Sequence, residues 1–224
     1  MAEKLVVFDL DGTLLDTLED IRSAVNYALS AWSVPKVEKN KMREYVGHGL
    51  RNAIFTALNE SGCTVPQEDL PLMVELMMSA YRNHPSDHTT PYNGVVEMLE
   101  TLFERGYRVG VISNKSDELV KRIIKDVLPS FKFDFVIGQC DKYPLKPDPE
   151  SLLSMMKEFS ADKSSTLYIG DSEVDYETAK NAEVTSVIVN YGFRTKEELE
   201  RNGIMESVSD VPSLMKRIDG FFSL

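Results

Sequence analysis

Short apolar runs recur along the chain, and helical periodicity follows most of them. The runs are rich in Val, Ile and aromatic residues with little polar alternation, which is typical of strands covered on both faces. They are Leu5–Phe8, Arg108–Ile112, Phe133–Ile137, Thr166–Ile169 and Ser186–Val189. Helices are predicted at Gly94–Arg105, Asp117–Leu128, Glu150–Phe159 and Asp175–Ala182. This alternation predicts an α/β fold built on a doubly wound, Rossmann-like parallel sheet.

One long interval breaks this alternation. From Thr17 to about His88 the pattern contains no convincing strand and predicts helices instead. These are Leu18–Trp32, Lys39–Val46, Leu50–Ser61 and Glu68–Asn83. A polar segment with two prolines, residues 84–91, then returns the chain to the sheet. We therefore predict an α/β core of residues 1–16 and 89–224, interrupted by a small α-helical cap domain of residues 17–88.

Composition narrows the possible partners and the expected location. The 224 residues include 25 Lys and Arg against 36 Asp and Glu, a net charge of −11. Such a surface repels a nucleic-acid backbone, so no nucleic-acid partner is expected. Cys63 and Cys140 lie far apart and form no zinc or disulfide pattern. No apolar run is long enough for a signal peptide or a membrane span, so we expect a cytoplasmic protein with no membrane partner.

Polar residues gather where the predicted strands end. They are Asp9, Asp11, Gly12 and Thr13 after the first strand, Ser113 and Asn114 after the second, and Asp171 and Asp175 after the fourth. Lys146 lies in the loop between the third and fourth strands. Because ligands of an open α/β sheet bind outside the carboxyl ends of its strands, we expect these residues to share one site.

The residue types indicate phosphoryl chemistry. Bringing Asp9, Asp11 and Asp171 together is unfavourable unless a cation offsets their charges, and Mg2+ prefers such oxygen ligands. Asp9 can then attack phosphorus as a carboxylate nucleophile, and Asp11 can act as general acid and base. The non-reacting phosphoryl oxygens are expected to contact Ser113, Asn114 and Lys146. Thr13 is predicted to bind phosphate as well, the alternative being a helix N-cap.

These residues also resemble a known family. Asp9-Leu10-Asp11-Gly12-Thr13, Ser113-Asn114, Lys146-Pro147 and the segment Gly170–Asp175 are similar to the four motifs of the haloacid-dehalogenase superfamily. The helical insert resembles the small α-helical cap of that superfamily. Within it, the segments Tyr45–Gly49, Pro91–Val95, Ser113–Lys115 and Lys146–Pro149 most resemble phosphoglycolate phosphatases.

The resemblance implies a role for each matched residue. Asp9 would be the nucleophile and Asp11 the acid and base, with Mg2+ held by Asp9, the backbone carbonyl of Asp11, and Asp171. Asp175 would be a further carboxylate on the metal side. Arg51, following the cap loop that contains His48, would contact the distal end of the substrate. The implied substrate is a small phosphorylated metabolite, with 2-phosphoglycolate, hydrolysed to glycolate and phosphate, as the first choice.

Other activities stay open at this point. Pyrophosphate, nucleotides and sugar phosphates are alternative substrates, and a β-phosphoglucomutase-like mutase would use the same two aspartates. A receiver-like phospho-acceptor module is the non-enzyme alternative, although the long insert and Asp11 favour turnover. A metal-independent dehalogenase is disfavoured, because it has no use for an acid at position 11. Two positions depart from the family pattern, Asn93 where a second Pro is common and Glu183 where a Gly is usual.

Overall fold

The computed structural model describes residues 3–46 and 49–223. The chain divides into two compact units, residues 1–16 with 91–224 and residues 17–90. Each unit has its own core of buried apolar side chains. Within the described ranges, no helix is both long and apolar enough to cross a membrane.

Parallel strands form the centre of the first unit. In the part of the chain that is described, they make a five-stranded sheet of order β5-β4-β1-β6-β7. Its strands are β1 (Leu5–Phe8), β4 (Arg108–Ser116), β5 (Phe135–Gln139), β6 (Thr166–Gly170) and β7 (Thr185–Ile188). The short β2 (Leu15–Asp16) and β3 (Thr90–Pro91) pair separately. The predicted parallel α/β sheet is therefore confirmed, with β4 running four residues beyond its predicted end at Ile112.

The central position of β1 explains its composition. Leu5, Val6, Val7 and Phe8 are fully buried and pair in parallel register with β4 on one side and β6 on the other. A strand with neighbours at both edges and helices over its faces has no position where a polar side chain meets water. The first polar residue after it, Asp9, therefore lies at the carboxyl edge of the sheet.

Helices connect and cover these strands. They are α5 (Val95–Glu104), α6 (Asp117–Val127), α7 (Glu150–Glu158), α8 (Glu173–Asn181), α9 (Lys196–Arg201) and α10 (Val211–Phe222). α5 and α6 pack on β4, whereas α8 packs on β6 and β7. α10 was not predicted from the sequence, although its start has a clear signal. The carboxylate of Asp210 accepts the backbone N–H of Ser213 at 2.7 Å and caps the first turn.

The second unit consists of helices. They are α1 (Leu18–Ser30), α2 (Lys39–Tyr45), α3 (Leu50–Ser61) and α4 (Leu70–Asn83), with a 3₁₀ turn at Gln67–Asp69 before α4. α1 packs against the other three helices, and Met42, Ile54, Met73 and Tyr81 are fully buried between them. The helical content predicted for this interval is thus present.

Candidate active site

The turn that follows β1 carries the first two aspartates. Asp9 is 6% exposed, and its backbone N–H donates to the carbonyl of Ile169 at 2.8 Å, which continues the sheet by one residue. Gly12 has φ +87°, and a Cβ placed on it would lie 2.2 Å from Oδ2 of Asp171. Glycine is therefore required here both for the backbone conformation and for the close approach of a carboxylate.

A loop after β7 completes the surroundings of Asp171. The backbone N–H of Phe193 donates to Oδ2 of Asp171 at 2.6 Å. The preceding residue, Gly192, passes so close that a Cβ on it would lie 2.1 Å from the carbonyl oxygen of Gly12. Two segments far apart in sequence, at Gly12 and at Gly192-Phe193, thus enclose one carboxylate.

Three buried carboxylates lie together at this edge of the sheet. Asp9, Asp171 and Asp175 each offer an oxygen, and these oxygens all lie within 4.8 Å of one another. Nζ of Lys146 donates to Oδ1 of Asp9 and to Oδ1 of Asp175, both at 2.7 Å. The second oxygen of Asp175 accepts the hydroxyl and the backbone N–H of Ser172 at 2.6 and 3.2 Å. One buried ammonium is therefore shared by two carboxylates of the three.

The electrostatics of this cluster favour an additional cation. Burial raises the pKa of Asp9 to about 7, and the nearby carboxylates of Asp175 and Asp11 add to the shift that Lys146 opposes. Burial, together with the charges of Asp175 and Asp9, raises the pKa of Asp171 well above its usual range. Burial also disfavours the charge of Lys146, but the carboxylates of Asp175 and Asp9 raise its pKa well above the usual value. Hard oxygen donors with excess negative charge fit a divalent ion such as Mg2+.

Asp11 has different partners from Asp9. Its Oδ1 accepts from Nζ of Lys115 at 2.5 Å, and its Oδ2 lies 3.4 Å from the hydroxyl of Ser113. The side chain of Asn114 instead holds the backbone of Lys146, accepting its N–H at 2.8 Å and donating to its carbonyl at 3.1 Å. The site thus contains two lysines, each paired with a different aspartate of the first turn.

The structure brings the predicted motif residues of the α/β unit to one edge of the sheet. Arg51 lies on α3 of the second unit, exposed, with its guanidinium 5.9 Å from the ring centre of Phe55. His48 lies outside the described residues. The hydroxyl of Thr13 is buried and, among the described side chains, is the polar atom left without a hydrogen-bond partner. Thr13 precedes β2, so it is not a helix N-cap.

Sequence reasoning missed three contributors to the site. The hydroxyl of Tyr168, inside β6, lies 3.3 Å from Oδ1 of Asp175. Lys115 is buried against Asp11. Its place in the site depends on its pairing with Asp11, which lies in the turn after β1. The contact from Phe193 involves only the backbone and leaves no signal in the residue type.

Comparison with known proteins identifies the family. The model of the family described as haloacid dehalogenase-like hydrolase matches residues 6–189, most of the chain. The chain belongs to this family. Phosphoglycolate phosphatase of Caulobacter vibrioides is 33% identical over 210 residues, covering 92% of this chain and 88% of that protein. Phosphoglycolate phosphatase of Pseudomonas savastanoi pv. phaseolicola is 34% identical over 194 residues, covering 85% and 70%.

Solved structures agree with this assignment. A crystal structure from Lactobacillus delbrueckii subsp. bulgaricus matches with a TM-score of 0.89 at 29% identity, covering 97% of this chain and 99% of its own. A hydrolase from Pseudomonas syringae matches with a TM-score of 0.73 at 25% identity, covering 97% and 99%. This haloacid dehalogenase-like hydrolase is a phosphatase, and its buried acidic cluster lies at the carboxyl edge of the family's α/β sheet.

Proposed function

We propose that the protein is a Mg2+-dependent phosphatase that hydrolyses a small phosphate monoester, with 2-phosphoglycolate as its substrate. The observation that carries this proposal is the cluster of Asp9, Asp171 and Asp175 around Lys146. The cluster is buried and has more carboxylates than ammonium groups. A site of this kind is suited to a metal ion and an anionic ester. Both are bound through charges, and charge–charge interactions are stronger in a buried site than in water.

The metal would be held by Asp9, Asp171 and the backbone carbonyl of Asp11. When bound, Mg2+ would neutralise charge on the phosphoryl oxygens and favour the ionised form of Asp9. Asp175 would stay outside this set, because its oxygens already accept from Lys146, Ser172 and Tyr168. Its task would be to hold Lys146 in place.

The chemistry of the chain's own residues follows from these positions. A carboxylate oxygen of Asp9 attacks phosphorus, the P–O bond to the alcohol breaks, and a proton from Asp11 goes to the leaving oxygen. Asp11 then takes a proton from water, whose oxygen attacks the aspartyl-phosphate and releases inorganic phosphate. Lys146 and Ser113 would bind the non-reacting oxygens, Thr13 would use its unpartnered hydroxyl there, and Asn114 would act by fixing the Lys146 backbone.

The choice of 2-phosphoglycolate is supported by the names of the curated relatives. Specificity is assigned to the helical unit, because it is inserted between the strand that carries Asp9 and the rest of the sheet. Arg51 is the residue of that unit proposed to contact the carboxylate of the substrate. Arg51→Ala should raise KM for 2-phosphoglycolate more than KM for an ester without a second negative charge.

Release of inorganic phosphate from a panel of esters tests the proposal. The panel contains 2-phosphoglycolate, a sugar phosphate, a nucleoside monophosphate and pyrophosphate, each with Mg2+ and with EDTA. Metal-dependent release that is fastest with 2-phosphoglycolate is expected. A faster rate with another member would keep the phosphatase mechanism and discard the substrate, and conversion of a sugar 1-phosphate to its 6-phosphate would indicate a mutase. Equal rates in EDTA would contradict the metal requirement.

A further inference from the structure

Lys115 is an unusual lysine because its side chain is only 3% exposed. Lysine is almost never fully buried without a partner, since removing an ammonium group from water is costly. Here Nζ lies 2.5 Å from Oδ1 of Asp11, whose own side chain is 17% exposed. The two charges therefore form a nearly dry ion pair beside the predicted nucleophile.

The strand that carries Lys115 approaches Asp11 with two side chains. Ser113 and Lys115 both contact Asp11 in the turn after β1, from the part of β4 where the register shifts between Ile112 and Ser116. The Ser113 hydroxyl lies 3.4 Å from Oδ2 of Asp11 and accepts the backbone N–H of Lys115 at 3.2 Å. Asn114 anchors Lys146 instead. β4 thus contacts Asp11 through Ser113 and Lys115, and holds the backbone of Lys146 through Asn114.

We propose that Lys115 is a positioning residue that holds the Asp11 carboxylate where it can exchange a proton with the leaving oxygen. This inference rests on the proposed phosphatase mechanism. A general acid must come within about 3 Å of the atom it protonates. A displacement of about 1 Å can slow such a step by roughly a hundredfold. Without Nζ of Lys115, the carboxylate of Asp11 loses this contact and could rotate out of reach.

The test compares two esters that need the acid to different extents. The alkoxide leaving group of 2-phosphoglycolate requires protonation, whereas the phenolate of p-nitrophenyl phosphate leaves without it. Rapid quench of the first turnover measures alcohol release before the aspartyl-phosphate is hydrolysed. We expect Lys115→Met to slow glycolate release by about 30- to 100-fold and p-nitrophenol release by less than about threefold, with KM unchanged within about twofold. Lys115→Arg keeps the charge and should show a smaller defect of the same selectivity.

A double-variant cycle separates positioning from direct contact with the substrate. If Lys115 acts through Asp11, adding Lys115→Met to the Asp11→Asn protein should slow glycolate release by a further factor of less than about two. Lys142→Met is the matched control, because Lys142 is an exposed lysine of the same unit whose Nζ lies over the ring of Tyr143. It should leave both rates unchanged.

Several results would overturn the proposal. Equal slowing of both esters, a higher KM with unchanged first-turnover rates, or full additivity with Asp11→Asn would each assign Lys115 to folding or to phosphate binding. Circular dichroism shows whether Lys115→Met folds. If it does not fold, Lys115→Arg is used instead, and an unchanged ratio of glycolate release to p-nitrophenol release in that variant would reject the proposal. Failure of wild-type protein to hydrolyse either ester is a separate result, which would reject the proposed function itself.

Discussion

Two buried carboxylate sites, one in each unit, are built in opposite ways. In the helical unit Asp20 is 2% exposed and is surrounded by donors. It accepts the backbone N–H of His88 at 3.1 Å, the ring nitrogen Nδ1 of His88 at 2.9 Å and the hydroxyl of Thr89 at 2.6 Å. These bonds fasten the returning segment of the chain to α1. The carboxylate of Asp20 therefore has three hydrogen-bond donors within its own unit.

The acidic cluster of the α/β unit lacks such compensation. Burial raises the pKa of Asp9 to about 7 and that of Asp171 well above its usual range, and Lys146 is shared between Asp9 and Asp175. Without a bound cation, ionising all three carboxylates is therefore unfavourable in the folded state. The contrast indicates that a carboxylate with enough donors serves structure, whereas a cluster without them is prepared for a cationic or reacting ligand.

The largest expected difference between the two sites is in turnover. Asp9→Asn should lower phosphate release by about four orders of magnitude or more, because an amide cannot act as the nucleophile. Asp20→Asn, the matched control in the helical unit, should retain activity within about threefold. Steady-state assays with 2-phosphoglycolate and Mg2+ measure both. Substantial turnover in Asp9→Asn would remove the assignment of the nucleophile.

The stability of Asp9→Asn at different pH values is a second test of the difference between the two carboxylate sites. The folded-state pKa of Asp9, about 7, lies above its ordinary value of 3.8, so ionisation opposes folding. Unfolding free energy of the metal-free wild type should therefore fall as pH rises from about 4 to about 7. In Asp9→Asn this decline should be smaller, and at pH 8 the variant should be at least as stable as wild type in urea titrations with EDTA. A less stable variant would contradict the account.

Added Mg2+ should stabilise the wild-type protein against heat. A ligand at about one hundred times its Kd contributes about 2.7 kcal/mol, which corresponds to a rise in Tm of roughly 5–10 °C for a chain of this size. Asp171→Asn should remove most of this rise, because it removes a proposed metal ligand. Differential scanning calorimetry with Mg2+ or EDTA measures it, and Asp20→Asn should keep the full increment. An equal rise in Asp171→Asn would place the metal elsewhere.

Removing Asp20 should reduce stability without blocking the chemistry. Asp20→Ala leaves the buried hydroxyl of Thr89 and the backbone N–H of His88 without this acceptor, so unfolding free energy should fall by about 2–3 kcal/mol. Urea denaturation measures this loss. Thr89→Val removes one of these donors and should cost less. An unaffected Asp20→Ala protein would show that the contacts of Asp20 are not important for folding.

The smallest effect concerns the ring of His88. A hydrogen bond and the charge of Asp20 raise the pKa of His88 above its ordinary 6.5. Its stabilising contribution is therefore complete below pH 6.5 and is lost as pH rises through the higher folded-state pKa. His88→Gln should lower Tm by about 1–2 °C at pH 5.5 and by less at pH 8.5. A larger decrease in Tm at pH 8.5 than at pH 5.5 would contradict this stabilising role of the His88 ring.

Much of this organisation could be predicted from residue patterns. The buried strands are uniformly apolar, so their ends were marked by the first polar residues, and those residues include Asp9, Ser113 and Asp171. The topology of a parallel sheet then required these ends to meet at one edge. Glu183, one of the two departures from the family pattern, adopts φ 57°, in the left-handed region that favours glycine.

Other contributors depended on tertiary contacts that have no local signal. Lys115 is buried against Asp11, which lies in the turn after β1. Tyr168 lies in an otherwise apolar strand, and its hydroxyl gains a role through Asp175 in the first turn of α8. The loop that orients Asp171 acts through the backbone N–H of Phe193. In each case the partner lies on a different element, so the role becomes visible only after folding.

The covalent state of Asp9 during turnover tests the central claim most directly. Wild-type and Asp11→Asn protein, mixed with 2-phosphoglycolate and Mg2+ and quenched in acid, would be digested and analysed by mass spectrometry. The account predicts a phosphoryl group on the peptide containing Asp9, more abundant in Asp11→Asn because the base for hydrolysis is missing, and absent from Asp9→Asn. Phosphate release from wild type with no phosphorylated Asp9 in either protein, or a phosphoryl group on another residue, would contradict it.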